Sequence, residues 1–253
     1  LALKGLFFAN GIASSNSKEF EGPKRNHIIT TKIEHDCILN SCKWLESQGA
    51  EITYLNVDKE GFIDLKELEE SINERTLIVS IIHGNNEIGT IQDLKTIGEI
   101  CRKKGVYFHS DACQTYTKVD IDVKKMNIGL LTLNSHKIHG PKGVGALYIN
   151  KNVKSKITPL LHGGGHEFKL RSSTENIPGI VGFARAVKIA SNKNVKNMEK
   201  LRDKLINGIL KISNTNLNGP IGEKRLCNNI NVKFNNIEGE AIGGFLDSYG
   251  ISS

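Results

Sequence analysis

The sequence predicts an α/β fold with a mainly parallel β-sheet and helices on both faces, and three observations point to it. Short β-rich runs alternate with amphipathic segments over residues 27–135, several of those segments begin or end on capping residues, and polar residues suited to chemistry gather where the β-rich runs stop. With 253 residues, 38% hydrophobic and 24% charged, the chain can bury one large domain, or one and part of another.

The first β-rich run is His27-Ile28-Ile29-Thr30-Thr31, followed by the helical stretch "DCILNSCKWLESQG". The next pair is Glu51 to Val57 and then "DLKELEESI", and after it come "TLIVSIIH" and "DLKTIGEICRKKG", then "VYFHSDA" and "LLTLNS". Asp64 and Asp93 stand where a carboxylate can accept the unpaired N–H groups of a first helical turn. Gly49 and Gly105 stand where C-terminal caps belong. From about residue 175 the texture shifts to longer helical stretches, a strand-like "NNINVKF" and a helix-like "GEAIGGFLDSYG". This predicts a large domain over 1–174 and the start of a smaller α/β domain over 175–253. Residues 13–26, polar and punctuated by Gly22-Pro23, are expected to form an exposed loop.

Several function classes drop out. No apolar stretch reaches the roughly 18 to 20 residues of a membrane span, and the opening residues lack the cationic region and cleavage pattern of a secretory signal, so a soluble cytoplasmic protein is expected. The five cysteines follow no paired spacing, which argues for reduced thiols over a disulfide framework or zinc ribbon. The net charge of +7 is scattered among Asn- and Ile-rich segments and forms no basic stripe interleaved with aromatics, so direct nucleic-acid binding is not expected. In "HGGGHEF", three glycines between His162 and His166 prevent the helix on which the pair would share a face, and no third ligand is evident. No metal site is predicted there.

In open α/β sheets ligands bind beyond the carboxyl ends of the strands. The residues that fall there are His35, Asn85-Asn86-Glu87, Asp111 with Gln114, and Asn134-Ser135-His136-Lys137. A carboxylate and a lysine on neighbouring strand ends suit an aldehyde cofactor with a basic ring nitrogen. Lysine reacts with an aldehyde only as the neutral amine, which apolar surroundings favour, and Leu130 to Leu133 lie just upstream of Lys137. Plainer readings stand beside each of these: Lys137 as a solvated lysine, Asp111 as a turn cap, Asn85 and Asn86 as turn residues, His35 as a helix-capping histidine, and Cys113 as a small core residue.

The ordered set "TTKIEHDCILNSC", "GFIDLKELEE", "NNEIGTIQDL", "VYFHSDACQTYTKVDIDV", "SHKIHGPKGVGALYI", "GGGHE" and "RSSTENIPGIVG" closely resembles the cysteine desulfurases of the NifS/IscS type, over nearly the whole chain. These are pyridoxal-phosphate enzymes of aminotransferase-like fold. The resemblance implies that Lys137 carries the cofactor and moves the substrate α-proton. It implies that His35 stacks over the pyridine ring and joins in proton transfer, and that Asp111 pairs with the ring nitrogen. Asn86 and Gln114 would bond the ring hydroxyl, Asn134 and His136 the phosphate, and Thr174 the phosphate of a partner subunit in a homodimer. The implied reaction takes sulfur from L-cysteine onto an enzyme cysteine, leaving alanine, and passes it to acceptors such as iron-sulfur scaffolds or tRNA-thiolation proteins.

The chain also departs from the family pattern. Position 134 is Asn where the family usually has Ser, Phe168-Lys169 and Ser173 replace residues that include glycines, and the segment 13–26 is about ten residues longer than the pattern leads one to expect. Measured against the family, a fragment lacking both ends is expected, without the nucleophilic cysteine loop and therefore inactive alone. A selenocysteine lyase or another enzyme of the same fold is the nearest alternative, and a non-catalytic or decayed scaffold piece is the alternative from another class.

Overall fold

A computed structural model describes residues 1–11, 25–154 and 156–252. Its centre is a six-stranded sheet in the order β2-β1-β3-β4-β5-β6. The strands are β1 (His27–Thr31), β2 (Glu51–Leu55), β3 (Thr76–Ser80), β4 (Tyr107–Asp111), β5 (Leu130–Asn134) and β6 (Gly145–Ile149). The first five run parallel, and β6 closes the edge antiparallel to β5, with Asn134 opposite Gly145. The sheet is therefore mainly parallel, as the alternating pattern predicts.

The helices divide between the two faces. On one, α1 (Ala2–Gly11) and α2 (Asp36–Ser47) bring Leu6, Phe7, Ile38 and Leu45 against Ile28, Ile78 and Leu130. On the other, α3 (Leu65–Ser71) and α4 (Leu94–Lys104) bring Leu68, Leu94, Ile97 and Cys101 against Ile29, Val79, Phe108 and Leu131. Neighbouring strand residues face opposite ways, so an apolar run covered on both sides shows no alternation. The caps fall where the sequence puts them. Asp64 accepts from Lys66 N and Glu67 N, Asp93 from Thr96 N, and Gly105 ends α4 at φ 67°. The helix α1 carries no such punctuation and was not anticipated; its apolar side chains bury against α2 and the sheet.

Polar rungs cross the sheet interior. His109 on β4 bonds Ser80 Oγ on β3 at 2.8 Å through Nδ1 and Thr132 Oγ1 on β5 at 2.9 Å through Nε2. His27 on β1 bonds Thr76 Oγ1 and Thr53 Oγ1 in the same manner, each at 2.8 Å.

Beyond β6 lie the one-turn α5 (Lys151–Lys154), α6 (Ile177–Ile189), α7 (Asn192–Ile209), a two-stranded antiparallel pair β7 (Thr215–Leu217) and β8 (Val232–Phe234), and α8 (Gly239–Ser248). The stretch 224–231 returns to the turn after β3: Ile91 N donates to Lys224 O, Leu226 N to Gly89 O, and Asn231 Nδ2 to Glu87 O. Two buried guanidiniums hold that stretch in shape. Arg202 of α7 donates to the carbonyls of Arg225 and Leu226, and Arg225 to those of Pro220 and Asn218.

Among the described residues no helix is long and apolar enough to cross a membrane, and no cluster of three metal-ligating side chains occurs. The loop expected over 13–26 lies outside the described residues except for Arg25 and Asn26, which bond the carbonyls of Gly105 and Gly49.

Candidate active site

Every predicted site residue except Thr174 sits at or just past the carboxyl end of one of four adjacent strands, β1, β3, β4 and β5. Asp111 is the last residue of β4, and Asn134 the last of β5. His136 and Lys137 follow on a 3-10 turn, His136–Ile138. The register pairs Asp111 with Thr132, so the carboxylate and the lysine turn share one edge of the sheet.

Cys113 reports on both. Burial pushes its thiol up, the Asp111 charge and the hydrogen bond to Asp111 push it further, and the Lys137 charge pulls it down. Asp111 and Lys137 thus act on one shared point. Asp111 Oδ1 accepts Cys113 N–H at 2.9 Å, and the carboxyl is 5% exposed with no ion-pair partner among the described residues.

His35 is the N-cap of α2, as its plainer reading has it, and its Nδ1 accepts from Cys37 N at 3.1 Å. A backbone N–H can only donate, so Nδ1 is the bare nitrogen and the proton of the neutral ring sits on Nε2, which is left open. The adjacent asparagines separate into two roles. Asn85 is committed to the turn, with Nδ2 on Ile33 O and Oδ1 accepting Glu87 N and Ile88 N. The exposed Asn86 carboxamide has no partner among the described residues. Lys137 Nζ and the Gln114 carboxamide are also unpartnered there, and Asn134 uses only its Oδ1, for Lys137 N at 3.3 Å. Thr174 is exposed in the segment before α6, and no bond ties it to the other site residues in the described chain.

Three buried polar atoms without partners lie at this same edge: Glu34 Oε2 beyond β1, His83 Nδ1 beyond β3 and Ser135 Oγ beyond β5. A Cβ on Gly140 would lie 2.1 Å from that hydroxyl, so glycine is what lets the turn close over it. Glu34 Oε1 meanwhile accepts from Ile82 N at 2.7 Å and Thr31 Oγ1 at 3.0 Å. Burial raises this carboxyl to about 8 despite those bonds, with the Asp111 charge adding to the rise. Glu34 was not singled out from the sequence, although it directly precedes His35 in "IEH". Lys118, at i+4 from Gln114, was also passed over, and its Nζ donates to Gln114 O at 2.9 Å.

Uncommitted amide, imidazole and amine groups at the same sheet edge as one buried carboxylate suit an anionic aromatic aldehyde. The carboxylate matches a protonated ring nitrogen, the amides and imidazole match ring and phosphate oxygens, and the amine matches the aldehyde.

The aminotransferase class-V family model matches residues 9–253. The chain belongs to the aminotransferase class-V family. Among class-V relatives, it is 50% identical over 253 residues to the cysteine desulfurase IscS of Methanosarcina thermophila, covering 99% of this chain and 59% of that one. A solved structure of a NifS-like protein superposes with a TM-score of 0.86 at 41% identity, over 98% of this chain and 68% of that one. SspA, solved in complex with cysteine, superposes with a TM-score of 0.79 at 36% identity, over 97% and 66%. This class-V chain thus spans about 59% of the length of its M. thermophila relative.

Proposed function

We propose that the protein is a pyridoxal-phosphate-dependent cysteine desulfurase. The observation that carries this reading is the open Lys137 amine, on the turn after β5, beside the buried Asp111 carboxylate that ends the adjacent strand β4. The names of its relatives favour this over a selenocysteine lyase or a scaffold piece. Residues 1–174 would form the cofactor-binding domain and 175–253 the start of a smaller one.

Pyridoxal phosphate, when bound, supplies an electron-withdrawing ring that makes the α-proton of an amino acid acidic. Lys137 Nζ is the group that would hold the aldehyde and then take and return that proton. Asp111 would keep the ring nitrogen charged. Asn86 and Gln114 would donate to the ring oxygen, Asn134 Nδ2 and His136 to the phosphate, and His35 would offer Nε2 for proton transfer.

The overall change balances as L-cysteine plus a thiol giving L-alanine plus a persulfide, the sulfur passing from the substrate carbon to the accepting sulfur. None of the five cysteines suits that thiol. Cys42, Cys101 and Cys227 are buried, and burial together with acidic neighbours pushes the Cys37 and Cys113 thiols up. Sulfur would move on to an iron-sulfur scaffold or a tRNA-thiolation protein, in a reducing compartment such as the cytoplasm. We further infer a homodimer in which Thr174 serves the partner's phosphate, a reading supported by the apolar surface left open at Phe168, Val181 and Leu201.

The test adds pyridoxal phosphate to the purified protein and records absorption with and without Lys137→Ala. A Lys137-dependent band is expected, and the complete gene product should then yield alanine from L-cysteine. No band, or one unchanged in the variant, overturns the reading.

A further inference from the structure

We propose that Lys118 is a positioning residue, its ammonium locking the loop that carries Gln114 to the turn that carries Lys137. Its Nζ donates to the carbonyl oxygen of Gln114 at 2.9 Å and to that of Lys137 at 3.5 Å. Among the described residues neither carbonyl has another donor, and Lys118 has no carboxylate partner. A lysine without a counter-ion would ordinarily extend into water. This one is partly buried and spends its donors on two backbone carbonyls from different strand ends.

The two loops share an apolar cluster, in which Tyr116 of the first packs against the group that contains Ile138 of the second, and among the described residues the hydrogen bonding that joins them is that of Lys118. The segment after β4 is a run of tight turns, with Thr115 N and Tyr116 N on Ala112 O and Lys118 N on Thr115 O. The segment after β5 closes on itself through Ile138 N and Gly140 N on Ser135 O. Each is ordered internally, and the Lys118 ammonium bonds to both. A charged donor strengthens such bonds over neutral ones, and its flexible stem lets it span the gap. Burial lowers this amine from the usual lysine range, with Lys137 adding to the fall and the Cys227 thiol on the returning stretch opposing it. Two segments therefore meet at this one side chain, the Gln114 loop and the Lys137 turn.

The importance of this clamp for ligand binding rests on the pyridoxal-phosphate reading, because Gln114 and Lys137 are the groups it sets in register. The clamp itself is a property of the unliganded chain, which allows the two ideas to be tested apart. Lys118→Met keeps the stem and loses the donors, while Lys118→Arg keeps a charged donor. In unliganded protein, amide hydrogen exchange in residues 113–119 and 135–140 should accelerate together in Lys118→Met and return toward wild type in Lys118→Arg. Unchanged exchange in the Met variant overturns the proposal whatever the cofactor. If the Met variant does not fold, accelerated exchange in the Arg variant overturns it instead.

With pyridoxal phosphate added, borohydride trapping at Lys137, read by mass spectrometry, should need about tenfold more cofactor in Lys118→Met. Trapping at the wild-type concentration would show that the clamp does not align the site, and overturns the positioning role. Failure of the wild type itself to trap at Lys137 counts against the pyridoxal-phosphate reading, while the exchange result still decides the clamp.

Discussion

The side-chain amide of Asn229 donates to the carbonyl oxygen of Asn86 at 3.1 Å, a contact between residues 143 positions apart. The same nitrogen reaches Glu87 O at 2.8 Å, and Asn229 Oδ1 accepts from Arg225 Nη1. The turn that presents the Asn86 carboxamide is thereby held from outside the sheet.

Asn229→Ala should loosen that turn and leave the buried Arg225 short of an acceptor. A loss of about 1–3 kcal/mol is expected, read by urea unfolding. Binding of pyridoxal phosphate should weaken with it, and a variant as stable as wild type would refute the tether.

Glu34 should make stability depend on pH in an unusual direction. Its carboxyl is raised to about 8 in the folded chain, so between the ordinary carboxylate value and about 8 the folded state binds a proton that the unfolded state has released. Stability therefore falls as pH rises through that window, by at most about 1.4 kcal/mol per pH unit. Glu34→Gln keeps an oxygen for Ile82 N and Thr31 Oγ1 and carries no charge. It should gain on wild type progressively from pH 5 to pH 8 in denaturant titrations, and a constant offset would count against the assignment.

Two buried histidines act the other way. Burial lowers His83 and His109 to about 4, so as pH falls from the ordinary histidine value toward 4 the unfolded chain takes up protons the folded chain refuses. Each should cost up to about 1.4 kcal/mol per pH unit in that range. The slopes oppose that of Glu34 where the windows overlap, so single variants separate them. Acid destabilisation between pH 6 and pH 5 should be less steep in His83→Gln than in wild type, by up to about 1.4 kcal/mol per pH unit, and an unaltered slope would exclude His83.

Gly98→Ala should destabilise the protein although it lies within a helix. Alanine is favoured over glycine there by about 1 kcal/mol, but the added Cβ would stand 1.8 Å from the backbone oxygen of Met126. Backbone must shift, and overpacking of this kind costs about 1–3 kcal/mol. A net fall in melting temperature is expected; a rise would show that the 122–128 loop yields freely.

The parallel sheet was legible because both of its faces are covered, which leaves apolar runs such as Leu77 to Val79 that stop at polar residues. The gathering of the candidate site residues at one edge was legible for the same reason, since they are the ones that follow those stops. What the sequence hid are side chains defined by distant neighbours. Glu34 takes its role from Ile82, and Lys118 from the carbonyl of Lys137. The helix α1 was hidden because a short apolar stretch without caps carries no periodic signal. The reversed direction of β6 was hidden because strand composition is the same either way.

The imidazole of His109 also works as a vernier for its strand. It is hydrogen-bonded at both ring nitrogens to hydroxyls on the flanking strands, so sliding β4 by a single residue would break both bonds and turn the ring toward the opposite layer. Asp111 is two residues further along the same strand and shares that facing. A misthreaded chain would thus lose its polar rung and point the Asp111 carboxylate into the wrong half of the molecule, so correct alignment of the strand and correct aim of the carboxylate are selected in the same folding event.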